Sequence, residues 1–280
     1  MGYFTFTFLI CLVVILPSFP CQGAIRPFWW KPINKPEPTL LPPIGKDPEF
    51  YRKLQKEIPP KNETAKKLIT NILRIRPGGK RMMKLQDFVI VMDGSSSIRQ
   101  CEFNNGKKAM QSLLQYTQPG VDAKYAMVTF ASSVRRDFNF LSQSDAAAKI
   151  SSVTFPRGYT NTQGGLAEAF NLFKTEGRRN FGTRKVVLLL TDGQSNILPH
   201  KTIPNAKALK DAGVEVFVVA VGNEYISGIN EMAHIAKFPP AKFLFRVRKF
   251  GSFLDVVKLA IKEVAPDVYE IVKKYKSTCS

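Results

Sequence analysis

Histidine is almost absent from this sequence, with only His200 and His234 among 280 residues. Histidine is the residue that most often acts as a general base in enzymes, and it is a common ligand of transition metals. The sequence also lacks G-x-S-x-G, H-E-x-x-H, a Walker loop and G-x-G-x-x-G, which mark serine hydrolases, zinc proteases and nucleotide-binding enzymes. We therefore predict that the protein is not an enzyme.

Long apolar runs are absent after the first 23 residues, which themselves carry no charge. The run "FTFTFLICLVVILPSF" is typical of a signal peptide, and the small residues of "CQG" predict cleavage after Gly23. The lack of Lys or Arg before this run leaves an uncleaved membrane anchor as the alternative. No later segment has the roughly 18 apolar residues that a membrane helix needs. We expect a secreted protein without a membrane span once residues 1–23 are removed.

Cysteine is scarce as well. Of the four cysteines, Cys11 and Cys21 lie in the predicted signal peptide, which leaves Cys101 and Cys279. In the oxidising compartment of a secreted protein these two are disulfide candidates, either with each other or with other chains in an oligomer. Two separated cysteines do not form a zinc site.

Acidic residues are few, 22 against 41 Lys and Arg, and the formal net charge is +19. Residues 24–85 contain 15 of the basic and 5 of the acidic residues, a balance of +10. Their stretch "RPFWWKPINKPEPTLLPPIGKDP" is rich in proline, which lacks an amide donor and predicts extended or irregular chain. We predict a basic, proline-rich N-terminal extension over residues 24–85.

The end of this extension carries two local signals. The segment "KNETAKKLITNILRI" predicts one short helix with an apolar side. That side consists of Ala65, Leu68, Ile69 and Ile72. The sequon "NET" makes Asn62 the predicted glycosylation site of a secreted protein.

From Gln86 onward, strand-like apolar runs alternate with helical segments. The runs are "DFVIVMD" (87–93), "YAMVTFAS" (125–132), "KVVLLLTD" (185–192), "VEVFVVAVG" (214–222) and "FLFRVR" (243–248). Most are continuous, as in strands buried on both faces of a parallel sheet. The segment "VRRDFNF" (134–140) follows the preceding run too closely for a crossover helix, and it predicts an antiparallel edge strand.

The alternation predicts a doubly wound α/β domain over residues 86–273, with a mostly parallel sheet and helices on both faces. The last helical segment, "GSFLDVVKLAIKEVAPDVYEIVKK", contains Pro266, which should kink or break it. Residues 274–280 form a C-terminal tail that carries Cys279.

Two of the predicted strands end in an acid, Asp93 and Asp192. In an open α/β sheet, binding sites lie beyond the carboxyl ends of the strands. Asp93 begins "DGSSS", Asp192 lies in "TDGQS", and a third oxygen-rich segment, "GYTNTQGG", precedes a helix. Carboxylates and hydroxyls suit Mg²⁺, Mn²⁺ or Ca²⁺. With only two carboxylates present, an acidic side chain of a partner can complete the coordination of such an ion.

The segments "DGSSS", "YTNT" and "TDG", in this order on a strand–helix background, resemble the von Willebrand factor type A domain, whose fold the inserted domains of integrins share. The resemblance covers residues 86–273 and every position of the family's metal-ion-dependent adhesion site. It implies a cation site of five residues: Asp93, Ser95, Ser97, Thr160 and Asp192. In the family the serines and the threonine bind the ion directly, and the aspartates bind it directly or through water.

The resemblance implies a secreted adhesion or extracellular matrix protein. Its partner would be an extracellular protein that offers an acidic residue, such as a collagen-like or acidic matrix protein, and the cation would be Mg²⁺, or Mn²⁺ or Ca²⁺ in its place. Ser96 has no ligand role in the motif, and we interpret it as a turn residue.

The basic charge supports an alternative, in which the metal only stabilises the loops and the surface binds polyanions. Cations lie beside aromatic residues in "VRRDF", "EGRRNFGTRK" and "KFLFRVRKF". Such a surface attracts sulfated glycans and acidic matrix or mineral-associated polymers. Nucleic acid is not an expected partner, because the protein is predicted to be secreted.

Overall fold

The computed structural model of the chain describes residues 48–74, 84–116, 118–223 and 225–279. The predicted signal peptide with its cleavage after Gly23, the alternative membrane anchor and the proline-rich stretch up to Asp47 lie outside these residues. Within the described part, no helix combines the length and the apolar character that crossing a membrane requires.

The described residues form ten α-helices and six strands. The helices are α1 Pro48–Lys56, α2 Lys61–Leu68, α3 Gln100–Leu114, α4 Gln143–Ser152, α5 Thr162–Thr175, α6 Thr202–Asp211, α7 Ile229–Ile235, α8 Pro240–Phe243, α9 Phe250–Val264 and α10 Pro266–Val272. The strands are β1 Lys84–Asp93, β2 Val121–Phe130, β3 Val134–Leu141, β4 Arg184–Thr191, β5 Glu215–Val221 and β6 Leu244–Val247. A π-helical turn, Ile69–Leu73, extends α2, and a 3-10 turn, Pro199–Lys201, precedes α6.

The six strands form one sheet in the order β3–β2–β1–β4–β5–β6. Neighbouring strands pair in parallel except β2 and β3, which are antiparallel. The central strands are buried along most of their length, as their continuous apolar sequences indicate. These observations confirm the predicted doubly wound α/β fold with its antiparallel edge strand.

Successive side chains of β1 point to two different helical layers. On one face, Met92 lies against Gly106 of α3, so closely that a Cβ on this glycine would stand 2.4 Å from the methionine Cε. On the other face, Val91 and Phe130 lie against Gly165 of α5, where a Cβ would stand 2.8 Å from the phenylalanine ring. Glycine therefore allows both helices to approach the sheet closely, and the helices cover both faces as predicted.

The closing helix is broken where the sequence predicts it. Helix α9 ends at Val264 and α10 begins at Pro266. Proline lacks the amide hydrogen that a helix interior needs, but it is well tolerated in the first turn. Helix α9 packs against α3 and α2, and it covers one face of the sheet.

Part of the N-terminal extension packs onto this domain. The predicted short helix is observed as α2 with its π turn, which contacts α9. Its buried apolar residues are Ala65, Leu68, Ile69 and Ile72, as predicted. Helix α1 has no counterpart in the sequence-based prediction, and it is joined to β6 by Arg246. The guanidinium of Arg246 donates to the backbone oxygens of Leu54 at 3.0 Å and Gln55 at 2.5 Å.

The C-terminal tail folds back onto α3. Cys279 and Cys101 form a disulfide with their Cα atoms 5.3 Å apart. Asn105 of α3 accepts a hydrogen bond from the amide of Thr278 at 2.8 Å and donates one to the hydroxyl of Ser277 at 2.9 Å. The sequence left open whether these two cysteines pair with each other or with other chains, and in the structure they pair with each other.

Candidate metal centre

The candidate site lies at the carboxyl ends of β1 and β4, which are adjacent in the sheet. The chain continues from β1 to β2 on one side of β1, whereas β4 lies on its other side. The order of the strands therefore reverses between β1 and β4, which makes this the topological switch point of the sheet. Loops leaving strands on either side of this point open a crevice where ligands bind in folds of this class. Asp93 ends β1, and Asp192 directly follows β4.

The first and third oxygen-rich segments are joined by hydrogen bonds. Ser95 Oγ and Ser97 Oγ lie 2.9 Å apart, and Ser97 Oγ donates to Asp192 Oδ1 at 2.9 Å. Asp93 is completely buried. Its Oδ1 accepts from the amide of Ser95 at 2.8 Å, and its Oδ2 accepts from the hydroxyl of Thr191 at 2.7 Å. Four of the five predicted site residues therefore lie in one small cluster of oxygen atoms.

Negative charge is poorly compensated in this cluster. Burial and the nearby charge of Asp192 raise the pKa of Asp93 to about 7, and burial also raises the pKa of Asp192. Among the described residues, neither aspartate forms an ion pair with a lysine or arginine. Two acids without a cationic partner are stabilised when a positive charge is placed between them.

Thr160, the fifth predicted residue, is buried in the loop that precedes α5. Its amide donates to Asn196 Oδ1 at 2.7 Å, and its carbonyl accepts from the amide of Asn196 at 2.9 Å. Asn196 lies in the loop after β4, so the second oxygen-rich segment is fixed to the third through the backbone of Thr160.

Ser96 does more than the sequence-based interpretation assigned to it. Its amide donates to the carbonyl of Gly158 at 2.9 Å, and its hydroxyl accepts from the amide of Gly158 at 3.0 Å. Ser96 also lies in the turn that is closed by the hydrogen bond from the Ile98 amide to the Ser95 carbonyl at 3.1 Å, so its interpretation as a turn residue is confirmed. Ser96 joins the first oxygen-rich segment to the second, so each of the three segments is hydrogen-bonded to the other two.

Three supporting residues escaped the sequence analysis. Thr191 holds the carboxylate of Asp93, Asn196 holds the backbone of Thr160, and Glu231 accepts a hydrogen bond from the amide of Ser195 at 2.9 Å. Thr191 and Asn196 belong to the segment "TDGQSN", so their closeness to Asp192 was available as a signal. Glu231 lies on α7 and gives no such signal in the sequence.

The atoms present fit a hard divalent cation. They are carboxylate and hydroxyl oxygens, the donors that Mg²⁺, Mn²⁺ and Ca²⁺ prefer. Within the described ranges no group of three or more His, Cys, Asp and Glu side chains is placed to hold a metal. A cation at this edge would therefore depend on serine and threonine hydroxyls in addition to the two aspartates.

The sequence matches one known protein family and is similar to parts of longer proteins. Residues 87–259 match the family model of the von Willebrand factor type A domain. Integrin alpha-X of Mus musculus is 29% identical over 61% of this chain and 15% of its own length. Matrilin-1 of Homo sapiens is 28% identical over 64% of this chain and 36% of its own length. The chain thus spans well under half the length of either relative.

The fold is similar to that of a solved matrix protein structure. Proximal thread matrix protein 1 from the mussel byssus superposes with a TM-score of 0.51. Its structure is described as having zinc in the MIDAS motif, the abbreviation for metal-ion-dependent adhesion site. It is 28% identical and covers 64% of this chain and 46% of its own. Sequence and fold agree, and the family model covers more than half of the chain. The protein therefore belongs to the von Willebrand factor type A family.

Proposed function

We propose that this chain is a secreted, non-enzymatic adhesion protein of the extracellular matrix, which binds an acidic protein ligand through a divalent cation. The observation that carries the proposal is the oxygen cluster at the carboxyl ends of β1 and β4, in which two acids have no cationic partner among the described residues. The proposed metal ligands are Asp93, Ser95, Ser97, Thr160 and Asp192.

The chain's own residues would have distinct tasks at this site. Asp93 is fixed from both oxygens by Ser95 and Thr191, so it supplies negative charge without being free to move. The hydroxyls of Ser95 and Ser97 are neutral, so they would hold the ion without adding negative charge to that of the two aspartates. The bound ion would supply a coordination position for a carboxylate of the partner.

The relatives support a role in matrix or adhesion. One is an integrin chain, one a matrilin, and one a thread matrix protein whose MIDAS motif is described as occupied by zinc. The collagen alpha-6(VI) chain of Homo sapiens is also 27% identical over 143 residues. We propose Mg²⁺, or Mn²⁺ or Ca²⁺, as the ion here, and a collagen-like or acidic matrix protein as the partner.

Polyanion binding by the basic surface is less well supported. Several arginines of the basic clusters are engaged within the domain. Arg136 pairs with Glu168 at 2.6 Å, Arg178 with Asp87 at 2.7 Å, and Arg184 with Glu215 at 2.9 Å. These cations are less available to a sulfated glycan than their positions in the sequence suggest.

The metal proposal is tested by calorimetric titration of Mg²⁺, Mn²⁺, Ca²⁺ and Zn²⁺ into the protein and into Asp93→Ala. Saturable binding of at least one ion that Asp93→Ala loses is the expected result. Asp211→Ala, which removes an exposed carboxylate paired with Lys207, is the matched control and should bind like the original protein. Equal binding by all three proteins would overturn the proposed site.

The adhesion proposal is tested by capture from an extracellular matrix extract. Binding should be lost with chelator or with Asp93→Ala, and moderate salt should leave most of it. If salt removes all binding and chelator none, the basic surface dominates and the polyanion alternative is correct. Capture that resists both treatments would contradict both proposals.

The organisation of the chain is proposed as well. Residues 1–23 are a signal peptide, residues 24–85 a basic extension, residues 86–273 the type A domain and residues 274–280 a tail. Asn62 lies exposed in the first turn of α2, where a glycan can be attached without disturbing the core. N-terminal sequencing of the secreted protein and its change in mobility after glycosidase treatment test these assignments; an uncleaved N-terminus or unchanged mobility would contradict them.

A further inference from the structure

A cleft of about 230 Å³ opens directly beside the proposed metal site. Ser97 and Asp192 line one part of it, and Arg99, Arg248 and Lys249 line another. The cleft and the metal site therefore share two residues, and a ligand that reaches one is within a side chain's length of the other.

The three cations of this cleft differ from the arginines that stabilise the fold. Arg99, Arg248 and Lys249 are exposed. Within the described part of the chain, none of them forms an ion pair with an aspartate or glutamate. Their charges are consequently available to a partner.

One further acid lines the cleft, and its carboxylate is already engaged. Glu102 is buried, and its Oε2 accepts a hydrogen bond from the amide of Gly251 at 3.1 Å. Its Oε1 faces Asn105 Nδ2 at 3.5 Å. With Glu102 directed to α9 and Asp192 to the metal site, the exposed charges of the cleft are positive.

The backbone adds to this positive character. Arg99 is the N-cap of α3 and Lys249 is the N-cap of α9, and each helix has 15 residues. Neither N-cap side chain accepts a hydrogen bond from its helix. The positive ends of two helix dipoles therefore begin at the same cleft as the three cationic side chains. The carboxylate of Glu102 already lies at these helix ends, so the attraction for a further anion is assigned mainly to the three side chains.

We infer that this cleft is a second subsite of the ligand-binding face, which receives an acidic side chain of the same protein partner whose first carboxylate meets the metal. The inference rests on the proposed function, and it specifies the ligand as a protein segment with at least two neighbouring carboxylates. The volume of the cleft is below the roughly 300–1,000 Å³ of pockets that enclose small-molecule ligands. It suits one side chain of a larger partner better than a sulfated sugar ring.

The test uses poly-aspartate as the probe, in Mg²⁺ and after chelation. The cleft variant is Arg248→Gln with Lys249→Gln. The matched control is Lys124→Gln with Arg179→Gln, which removes the same charge from exposed cations remote from the cleft, on β2 and beyond α5. Binding in Mg²⁺ should fall about five- to tenfold in the cleft variant, as expected for two rim charges, and less than twofold in the control.

The Mg²⁺ affinity measured by calorimetry distinguishes a failure of the proposed function from a failure of the second subsite alone. If none of Mg²⁺, Mn²⁺ and Ca²⁺ binds, or if chelation leaves poly-aspartate binding unchanged, the proposed function fails. If Mg²⁺ affinity is intact and poly-aspartate binding requires Mg²⁺ but is equal in the cleft and control variants, only the second subsite fails. Arg99→Gln is a single-site variant that should reproduce part of the loss, with far-UV circular dichroism confirming the fold of every variant.

Heparin serves as a second probe of the cleft, because it is a sulfated glycan and offers anions of a different class. Heparin binding should be nearly equal in the cleft and control variants and unaffected by chelation. A loss of heparin binding that is confined to the cleft variant and exceeds its loss of poly-aspartate binding would overturn the assignment to an acidic protein segment.

Discussion

Two completely buried aspartates lie near opposite ends of the same strand, and they have opposite surroundings. Asp87, toward the amino end of β1, accepts hydrogen bonds from Arg178 Nε and from the Arg178 amide, both at 2.7 Å. Asp93, at the carboxyl end, is held by an amide and the Thr191 hydroxyl, and the charge of Asp192 raises its pKa further.

The difference shows that the partner of a buried acid, and not its burial, indicates its role. Asp87 is neutralised within the chain by an arginine, so it stabilises the fold and has no charge to offer. Asp93 is oriented just as firmly, but no lysine or arginine of the described residues pairs with it, so a compensating positive charge would have to come from elsewhere. One strand thus joins a structural end of the sheet to an end that is suited to a cation.

The largest expected effect is on the structural end. Arg178→Met should lower the free energy of unfolding by about 3–5 kcal/mol, because it leaves the carboxylate of Asp87 buried without its cation. Denaturant unfolding followed by circular dichroism measures the change. Arg179→Met, at the exposed neighbouring position, should change the stability by less than about 0.5 kcal/mol. Equal effects of the two substitutions would contradict the structural role of the Arg178–Asp87 pair.

A smaller effect distinguishes the two aspartates directly. Asp87→Asn should lower the free energy of unfolding by about 1–3 kcal/mol, because it weakens charged hydrogen bonds to Arg178. Asp93→Asn should leave the stability of the metal-free protein nearly unchanged or raise it, because it removes a buried charge that lacks a cation.

Of the same two variants, only Asp87→Asn should be stabilised by metal. Added Mg²⁺ should raise the melting temperature of Asp87→Asn and of the unmodified chain alike, and should have no effect on Asp93→Asn. Thermal denaturation with and without Mg²⁺ provides both readouts. If Asp93→Asn is more destabilising than Asp87→Asn without metal, the different roles assigned to the two aspartates are contradicted.

The smallest expected effect concerns Lys67, which forms no ion pair with a carboxylate of the described residues. Lys67 Nζ donates to the carbonyl of Leu244 at 2.5 Å and lies over the ring of Phe245, and burial lowers its pKa to about 8. In the unfolded chain the ordinary pKa of 10.5 applies. Between these pH values the unfolded chain binds more protons, so the contribution of Lys67 to stability rises with pH.

Unfolding measurements at pH 7.5 and pH 10 on the protein and on Lys67→Met test this dependence. The unmodified protein should gain about 1 kcal/mol more than the variant across the interval, a value discounted for the partial exposure of the amine. Lys66→Met, at an exposed position, is the control and should keep the original dependence. A Lys67→Met variant with an unchanged pH dependence would contradict the lowered pKa.

The sequence predicted the sheet because its strands are long, apolar and separated by helices of clear periodicity. It also predicted that Asp93 and Asp192 would lie at the same edge, because parallel strands bring their carboxyl ends together. It assigned no partner to Asp87, which begins the run "DFVIVMD" that Asp93 ends. Arg178, which makes the difference, is 91 residues from Asp87, and no local pattern connects them.

The N-terminal segment shows a second limit of the sequence. Helix α2 was predictable from its apolar periodicity. Helix α1 was not predictable from its own sequence. Its backbone carbonyls accept hydrogen bonds from Arg246, which is 192 residues away from Leu54 in the chain. The cations of the cleft were likewise visible only as basic residues, until the fold placed Arg99 beside Arg248.

The disulfide between Cys101 and Cys279 has a mechanical consequence. A pulling force that enters the chain before Cys101 and leaves after Cys279 crosses the bridge, and it bypasses the intervening covalent loop with its sequence separation of 178 residues. The strands and helices of that loop carry no direct tension. Under load, the segment with Asp93, Ser95 and Ser97 lies on the tensioned path, whereas Thr160 and Asp192 lie on the shielded one. Tension of this kind would therefore act first between the two halves of the proposed metal site.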